Sequence, residues 1–288
     1  MKVGFIGLGN MGEPMARNLA AANIDIAGYD IVRACPEGVK SASSAVDAAA
    51  NRDVVITMLP DGEAVKSVAV EILPAMKSGA ILLDCSTVDI DSALEVYVSA
   101  KTANLRFVDA PVSGGDGGAV AGSLTFMAGG AEDDFKNLEP LFDIMGSKAV
   151  HCGEAGTGQI AKICNNMILG ATMIVTCEAF ALADRLGLSR ERMFEVVSTS
   201  SGYSWSMNAY CPVPSVGPTS PADNGYRPGF AADLMLKDLR LAQIAAASAS
   251  ADTPVGRLAN DIYESFVENE GGSGKDFSAI FLKFAEKL

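Results

Sequence analysis

The sequence predicts an α/β fold in two parts: a doubly wound, mostly parallel sheet at the N-terminus, then an all-α C-terminal domain built on a long connecting helix. Three observations predict it. An apolar strand over 2–7 runs straight into Gly7-Leu8-Gly9-Asn10-Met11-Gly12 and a helical stretch. Strand and helix patterns then alternate as far as residue 152. From Gly158 onward every periodic segment is helical. The expected domains are therefore 1–157 and 158–288.

Composition sets the outer limits. A chain of 288 residues, 49% apolar and 20% charged, can bury two real cores. Its net charge of -13 repels phosphates at long range, which excludes a nucleic-acid or anionic-membrane surface. The six cysteines (35, 85, 152, 164, 177 and 211) form no C-x-x-C pair and lie mostly in apolar runs, as reduced, buried thiols do. A single histidine, His151, alternates with apolar neighbours and reads as structural. With no cluster of ligand types at metal spacing, no metal is expected. Met1 opens directly on a strand, leaving no room for a signal peptide. No run of about 18 residues is free of polar interruption, so no membrane span is expected and a cytoplasmic location follows.

The elements of the first half follow in order. Strand 2–7, the glycine loop, helix 11–22 and strand 24–29 form the context that gives a G-x-G-x-x-G its meaning. Gly7 permits the tight turn, Gly9 lets backbone approach a pyrophosphate, and Gly12 lets the helix pack on the strand. The helix N-terminus offers amides and its positive dipole end to the phosphates. This is the Rossmann signature of a dinucleotide site. Asp30 closes the second strand, where a carboxylate accepts from a ribose 2′-hydroxyl and repels a 2′-phosphate. That favours NAD over NADP, although nearby Arg33 offers a cation for a phosphate.

Strands at 53–59 and 80–86 alternate with helices at 61–76 and 90–103. In a doubly wound sheet ligands gather at the strands' carboxyl ends, so Leu59, Pro60 and Ser86-Thr87 should border the cofactor. Strand 106–112 leads to Ser113-Gly114-Gly115, where successive glycine amides and a hydroxyl suit a small carboxylate as a loop nest. Strand 123–129, helix 131–145 and strand 149–152 complete the sheet.

The second half opens on a helix over 158–186 that is apolar on nearly every face and closed by Gly187. Further helices are expected at 189–199, 230–250, 253–268 and 276–287. Residues 202–229 hold five prolines with Tyr203, Trp205, Tyr210 and Tyr226, which predicts an ordered irregular loop with its aromatics buried. Two polar features interrupt the helices. Lys162 and Asn166 stand one turn apart on one face of the first helix, as a catalytic pair or simply as solvated residues near a helix N-terminus. Lys237 and Asp238 interrupt an apolar face, as a plain exposed pair or as a cation aimed at cofactor or substrate.

Four segments then resemble the β-hydroxyacid dehydrogenase family over essentially the whole chain: Gly4–Gly12 (GFIGLGNMG), Asp109–Gly115 (DAPVSGG), the Gly156-x-Gly158-x3-Lys162-x3-Asn166 pattern, and Leu234–Leu239 (LMLKDL). The narrower stretches Ser200–Ser206 and Tyr210–Pro214 resemble its 3-hydroxyisobutyrate branch. The resemblance implies NAD-dependent, reversible oxidation of a primary alcohol β to a carboxylate, giving methylmalonate semialdehyde from 3-hydroxyisobutyrate in valine catabolism. It carries over Lys162 as general acid/base and Asn166 as its hydrogen-bonding neighbour on substrate. Ser113, Gly114 and Gly115 become the carboxylate grip, Lys237 a cofactor or substrate contact, and Gly7, Leu8, Gly9, Asn10, Met11, Gly12, Asp30, Leu59, Pro60 and Thr87 the cofactor set. An ordinary lysine, with a pKa of about 10.4, is a poor base near neutrality, so the role calls for a desolvated setting.

The alternatives are a related tartronate or succinic semialdehyde reductase, a 3-hydroxypropionate or serine dehydrogenase, or a silent dinucleotide-binding interaction module. Silent relatives lack the lysine that is present at 162. The partners expected are a small hydroxy-carboxylate and a second copy of the chain, as homodimer or homotetramer, with neither nucleic acid nor membrane.

Overall fold

The computed structural model describes residues 1–285. It divides into two units, Met1–Lys162 and the chain from Ile163 onward. The division falls five residues beyond the expected 157/158 crossing and lies inside a helix.

The first unit is a nine-stranded sheet with helices on both faces. Its elements are β1 Lys2–Ile6, α1 Gly12–Ala21, β2 Asp25–Tyr29, β3 Lys40–Ser41, α2 Ala45–Ala49, β4 Val54–Thr57, α3 Gly62–Ile72, β5 Ile81–Asp84 and α4 Ile90–Thr102. Then follow β6 Arg106–Asp109, β7 Val112–Ser113, α5 Gly115–Ala121, β8 Leu124–Gly130, α6 Glu132–Met145 and β9 Gly146–Gly153. Strand order is β3-β2-β1-β4-β5-β6-β8-β7, with β9 on β8. The pairs from β3 through β6 are parallel, while β8 runs antiparallel to β6 and β7. The order reverses at β1, between β2 and β4, which is where a doubly wound sheet opens its ligand crevice.

Period-two alternation builds two cores. Val3, Phe5, Ile56, Leu83 and Val108 pack on one face with α1 and α6, and Ile6, Val55, Leu82 and Phe107 on the other with α3 and α4. Asp61 and Asp89 start α3 and α4 by accepting from Ala64 and Ser92 amides.

Three expectations for this unit change. β3 and α2 have no counterpart in the sequence reading, because two and five residues are too few to register a period. The strand expected over 106–112 breaks at Ala110-Pro111, since Pro111 has no N–H for the ladder; its second piece pairs with β8 instead of β5. The glycine-rich segment after Ser113 is a helix from Gly115 and not a loop. Gly114 and Gly115, at φ 137° and 62°, make the turn, and a Cβ on Gly114 or Gly118 would press within 3.1–3.3 Å of Leu124.

The second unit is helical, and its one β-bridge among the described residues joins Ala231 to Asp276. α7 (Thr157–Arg185) leads in from the first unit, and α8 (Arg190–Val197), α9 (Trp205–Asn208), α10 (Ala232–Ser248), α11 (Pro254–Asn269) and α12 (Phe281–Ala285) follow. Their shared core includes Met173, Phe180, Met235, Leu239, Tyr263, Phe266 and Phe277. By length and composition alone α7 is apolar enough to cross a membrane, a test that the core helix of a globular protein also passes; half of its 18-residue apolar window is buried within the protein.

Residues 202–229 are ordered by α9 and by a 3-10 turn over Pro221–Asn224 with a Ser220/Asp223 capping box. Tyr226 is buried as expected, but Tyr203 and Trp205 are 66% and 50% exposed. Trp205 instead stacks on Tyr210 at 4.7 Å, and Tyr210 on Phe277 at 5.4 Å. The helix expected over 276–287 is a 3-10 turn over Phe277–Ile280 followed by α12, and residues 286 and 287 lie outside the described ones.

Candidate active site

The loop between β1 and α1 is shaped by its glycines. At Gly7 (φ 95°) a Cβ would lie 2.2 Å from the Met58 carbonyl oxygen, and at Gly12 it would lie 1.9 Å from that of Gly7. Gly9 differs: a Cβ there meets no protein atom within 4 Å. No neighbour in the fold requires glycine at that point. A side chain there would instead stand where a pyrophosphate approaches the loop backbone, so the cradle fits a dinucleotide. No side chain caps the first turn of α1, which leaves its positive end to an anion.

Asp30 holds the far side of this loop. Its Oδ2 accepts from the Leu8 amide at 2.7 Å, and its Oδ1 from the Val32 and Arg33 amides at 2.8 and 2.9 Å. Partial burial works against its charge, but the three amides outweigh it and hold the carboxyl below the usual range. Leu8 itself is wholly in the core, so it shapes the loop through its amide and not its side chain. Arg33 donates to Asn10 Oδ1 at 2.7 Å and lies 4.0 Å from Glu13.

At the other strand ends the sequence reading missed a buried polar network. Thr57 Oγ1 donates to Asp84 Oδ1 at 2.8 Å, and the same oxygen accepts the Ser86 amide at 3.1 Å. Ser86 Oγ accepts the Leu59 amide at 2.8 Å. Gln159 closes the set: its Nε2 donates to the Ser86 carbonyl at 2.9 Å, and its Oε1 accepts the Val88 amide at 3.1 Å. Leu59, expected beside the cofactor, is held by this network through its amide; Thr87, expected there too, lies between the network members Ser86 and Val88, and Pro60 follows Leu59 on the exposed side.

Asp109 ends β6 and caps α7. Its oxygens accept from the Gly156 and Gln159 amides at 2.6 and 3.0 Å. Burial pushes the Asp109 carboxyl up to about 7; the two amides pull it back and the neighbouring Asp84 adds to the rise. Gly158 lets the helix sit this close, since a Cβ there would lie 2.3 Å from the Met127 carbonyl oxygen and 2.7 Å from Asp109.

Lys162 and Asn166 stand one turn apart on α7, and both are buried, at 6% and 1% exposure. The solvated-pair alternative is thereby removed. In the second unit, Asn166 Nδ2 donates to Asp238 Oδ2 at 2.5 Å, and its Oδ1 accepts from Asn165 at 2.8 Å. One N–H and one lone pair of the carboxamide are left for a ligand. Asp238 is buried at 2% exposure, with Lys237 Nζ 3.7 Å from its Oδ1. Lys237 and Asp238 are thus not a plain exposed pair, and what the sequence did not indicate is that Asp238 is buried as the partner of Asn166. A buried acid beside an asparagine leaves no periodic trace. His151, by contrast, is engaged with the Gly130 carbonyl at 2.7 Å and packs on Phe135.

The chain is similar to known proteins over nearly its whole length. Residues 2–153 match the family described as the NAD binding domain of 6-phosphogluconate dehydrogenase, and 156–283 that described as NAD-binding of NADP-dependent 3-hydroxyisobutyrate dehydrogenase. The chain is 43% identical to a probable 3-hydroxyisobutyrate dehydrogenase of Mycobacterium tuberculosis over 96% of both chains. It is 40% identical to an NAD-dependent L-serine dehydrogenase of Pseudomonas aeruginosa, over 97% of this chain and 96% of that one. A solved structure of the Mycobacterium tuberculosis 3-hydroxyisobutyrate dehydrogenase with L-serine superposes with a TM-score of 0.93, at 42% identity and 98% coverage of each chain.

Proposed function

The chain belongs to the β-hydroxyacid dehydrogenase family and binds NAD(P), and from that premise we propose that it oxidises 3-hydroxyisobutyrate to methylmalonate semialdehyde, reversibly, with Lys162 as general acid/base. One observation carries the reading: a buried lysine stands near the start of α7, in a chain whose single histidine is committed to a backbone carbonyl. When bound, the dinucleotide supplies the hydride acceptor. Lys162 Nζ takes the alcohol proton in oxidation and returns it in reduction. Asn166 uses its remaining N–H on the substrate, with Asp238 fixing the carboxamide. Ser113, Gly114 and Gly115 grip the carboxylate, and Lys237 adds a cation for cofactor or substrate. The pathway served is valine breakdown.

NAD is the preferred form. The ionised Asp30 repels a 2′-phosphate, and Arg33 is turned toward Asn10 and Glu13. Lys162→Ala should keep NAD affinity and lose about 10²–10⁴ in kcat; parent-like turnover would sink the assignment. A kcat/KM panel with NAD and NADP over 3-hydroxyisobutyrate, 3-hydroxypropionate, L-serine, D-glycerate and 4-hydroxybutyrate tests the substrate. L-serine is the second reading, favoured by the serine-dehydrogenase relative.

A homodimer or homotetramer belongs to the same reading. Ile168, Val175 and Leu182 are 57–62% exposed at seven-residue spacing on α7, an apolar seam suited to a second copy. Sedimentation of Val175→Glu should show a smaller species than the parent. A cytoplasmic location completes the reading, supported by the acidic composition and tested by cell fractionation.

A further inference from the structure

The first turn of α7 carries more than the helix start. Gln159 is fully buried, three residues before Lys162 and hence on nearly the same helical face. Its carboxamide makes two bonds to the segment that flanks Thr87, and its amide makes a third to Asp109. Through Ser86 the same segment holds Leu59. The ends of β4, β5 and β6 and the start of α7 are therefore one continuous hydrogen-bonded unit. A side chain whose only task was to begin a helix would sit at the cap, where Asp109 already serves.

We propose that Gln159 and Asp109 are positioning residues, which fix the Lys162 amine in register with the cofactor loops at Leu59 and Ser86–Val88. This rests on the reading of Lys162 as the proton-transfer group. Asp109 sets how far α7 enters the unit, by gripping the Gly156 and Gln159 amides. Gln159 sets the rotation of the helix, by tying its side chain to Ser86 and Val88. Neither residue touches the reacting atoms. Their effect is on geometry, and a displacement of about 1 Å at a proton-transfer group can cost about 10²-fold in rate. The glycine fingerprint lies outside the network, so overall nucleotide affinity should be spared.

The test replaces Gln159 with Met, which keeps length and removes both side-chain bonds. Its kcat should fall by about 30-fold or more, with the NAD dissociation constant within about threefold of the parent. Lys162→Ala runs beside it as a control. If Lys162→Ala is inactive and Gln159→Met turns over within about twofold of the parent, positioning is overturned while the lysine assignment stands. If Lys162→Ala is itself active, the lysine reading has failed, and positioning falls with it. Should Gln159→Met not fold, Gln159→Glu decides. Its ionised form cannot donate to the Ser86 carbonyl, whereas its neutral form restores both bonds. Its kcat relative to the parent should rise as pH falls, with Asp84 and Asp109 as the neighbouring carboxyls. A ratio that does not change with pH overturns the proposal, because a purely structural role would lower stability and leave that ratio flat.

Discussion

The carboxyl ends of β2 and β6 use the same residue type for opposite ends. Each closes its strand with an aspartate that accepts backbone amides, three at Asp30 and two at Asp109. Asp30 stays partly open to water and is held below the usual carboxylate range, whereas Asp109, fully buried, is pushed up to about 7. Amide count does not decide between them; solvent does. Desolvation of the charge outweighs two hydrogen bonds at β6, and falls short of three at β2. A permanently charged end suits a ribose hydroxyl. A buried end suits the anchoring of a helix.

Four experiments sharpen the contrast, and the largest effect is expected at the β6 end. Gly158→Ala drives a Cβ to 2.3 Å from the Met127 carbonyl oxygen and should destabilise the chain by about 3 kcal/mol in urea unfolding. A near-neutral result would mean that α7 can withdraw from Asp109. Next comes pH. Unfolded, Asp109 releases its proton near 3.8; folded, near 7. Between those values the folded state keeps a proton that the unfolded state has lost. Its contribution is therefore complete below about pH 4 and declines as pH rises, by up to about 1.4 kcal/mol per unit. Asp109→Asn should flatten that decline, and a variant with the parent's slope would place the titration elsewhere.

Effects at the β2 end should be smaller and fall on affinity. Gly9→Ala meets no protein atom, so its melting temperature should match the parent's. Its NAD dissociation constant should nevertheless rise about tenfold, or about 1.4 kcal/mol. Unchanged binding by isothermal titration would remove the pyrophosphate from this loop. The smallest change is expected for Asp30→Asn, which removes the charge but keeps an acceptor. The NAD-to-NADP ratio of kcat/KM should drop a few-fold, roughly 1 kcal/mol or less; a constant ratio would shift discrimination to Arg33.

The two ends also differ in how far they could be read in advance. The β2 end was legible, because the glycine spacing, the strand before it and Asp30 lie within a short stretch of chain and local geometry ties them together. Lys162 and Asn166 were legible as a pair for the same reason, one helical turn. Gln159 and Asp238 were not. Gln159 gains its meaning from Ser86 and Val88, more than seventy residues away, and Asp238 from Asn166, seventy-two residues away. The exposed Trp205 was misread as buried, because composition cannot tell a core aromatic from one stacked at the surface on Tyr210.

By itself, then, the sequence determined what short-range physics controls: the alternating strands and helices, the dinucleotide fingerprint, the long helix and the placement of a lysine on it. The tertiary structure alone decided which polar groups lose their water. That choice put Asp109 near neutrality, hid Lys162 and gave Gln159 its two partners. Burial is a property of many distant segments packed together, and no local pattern records it.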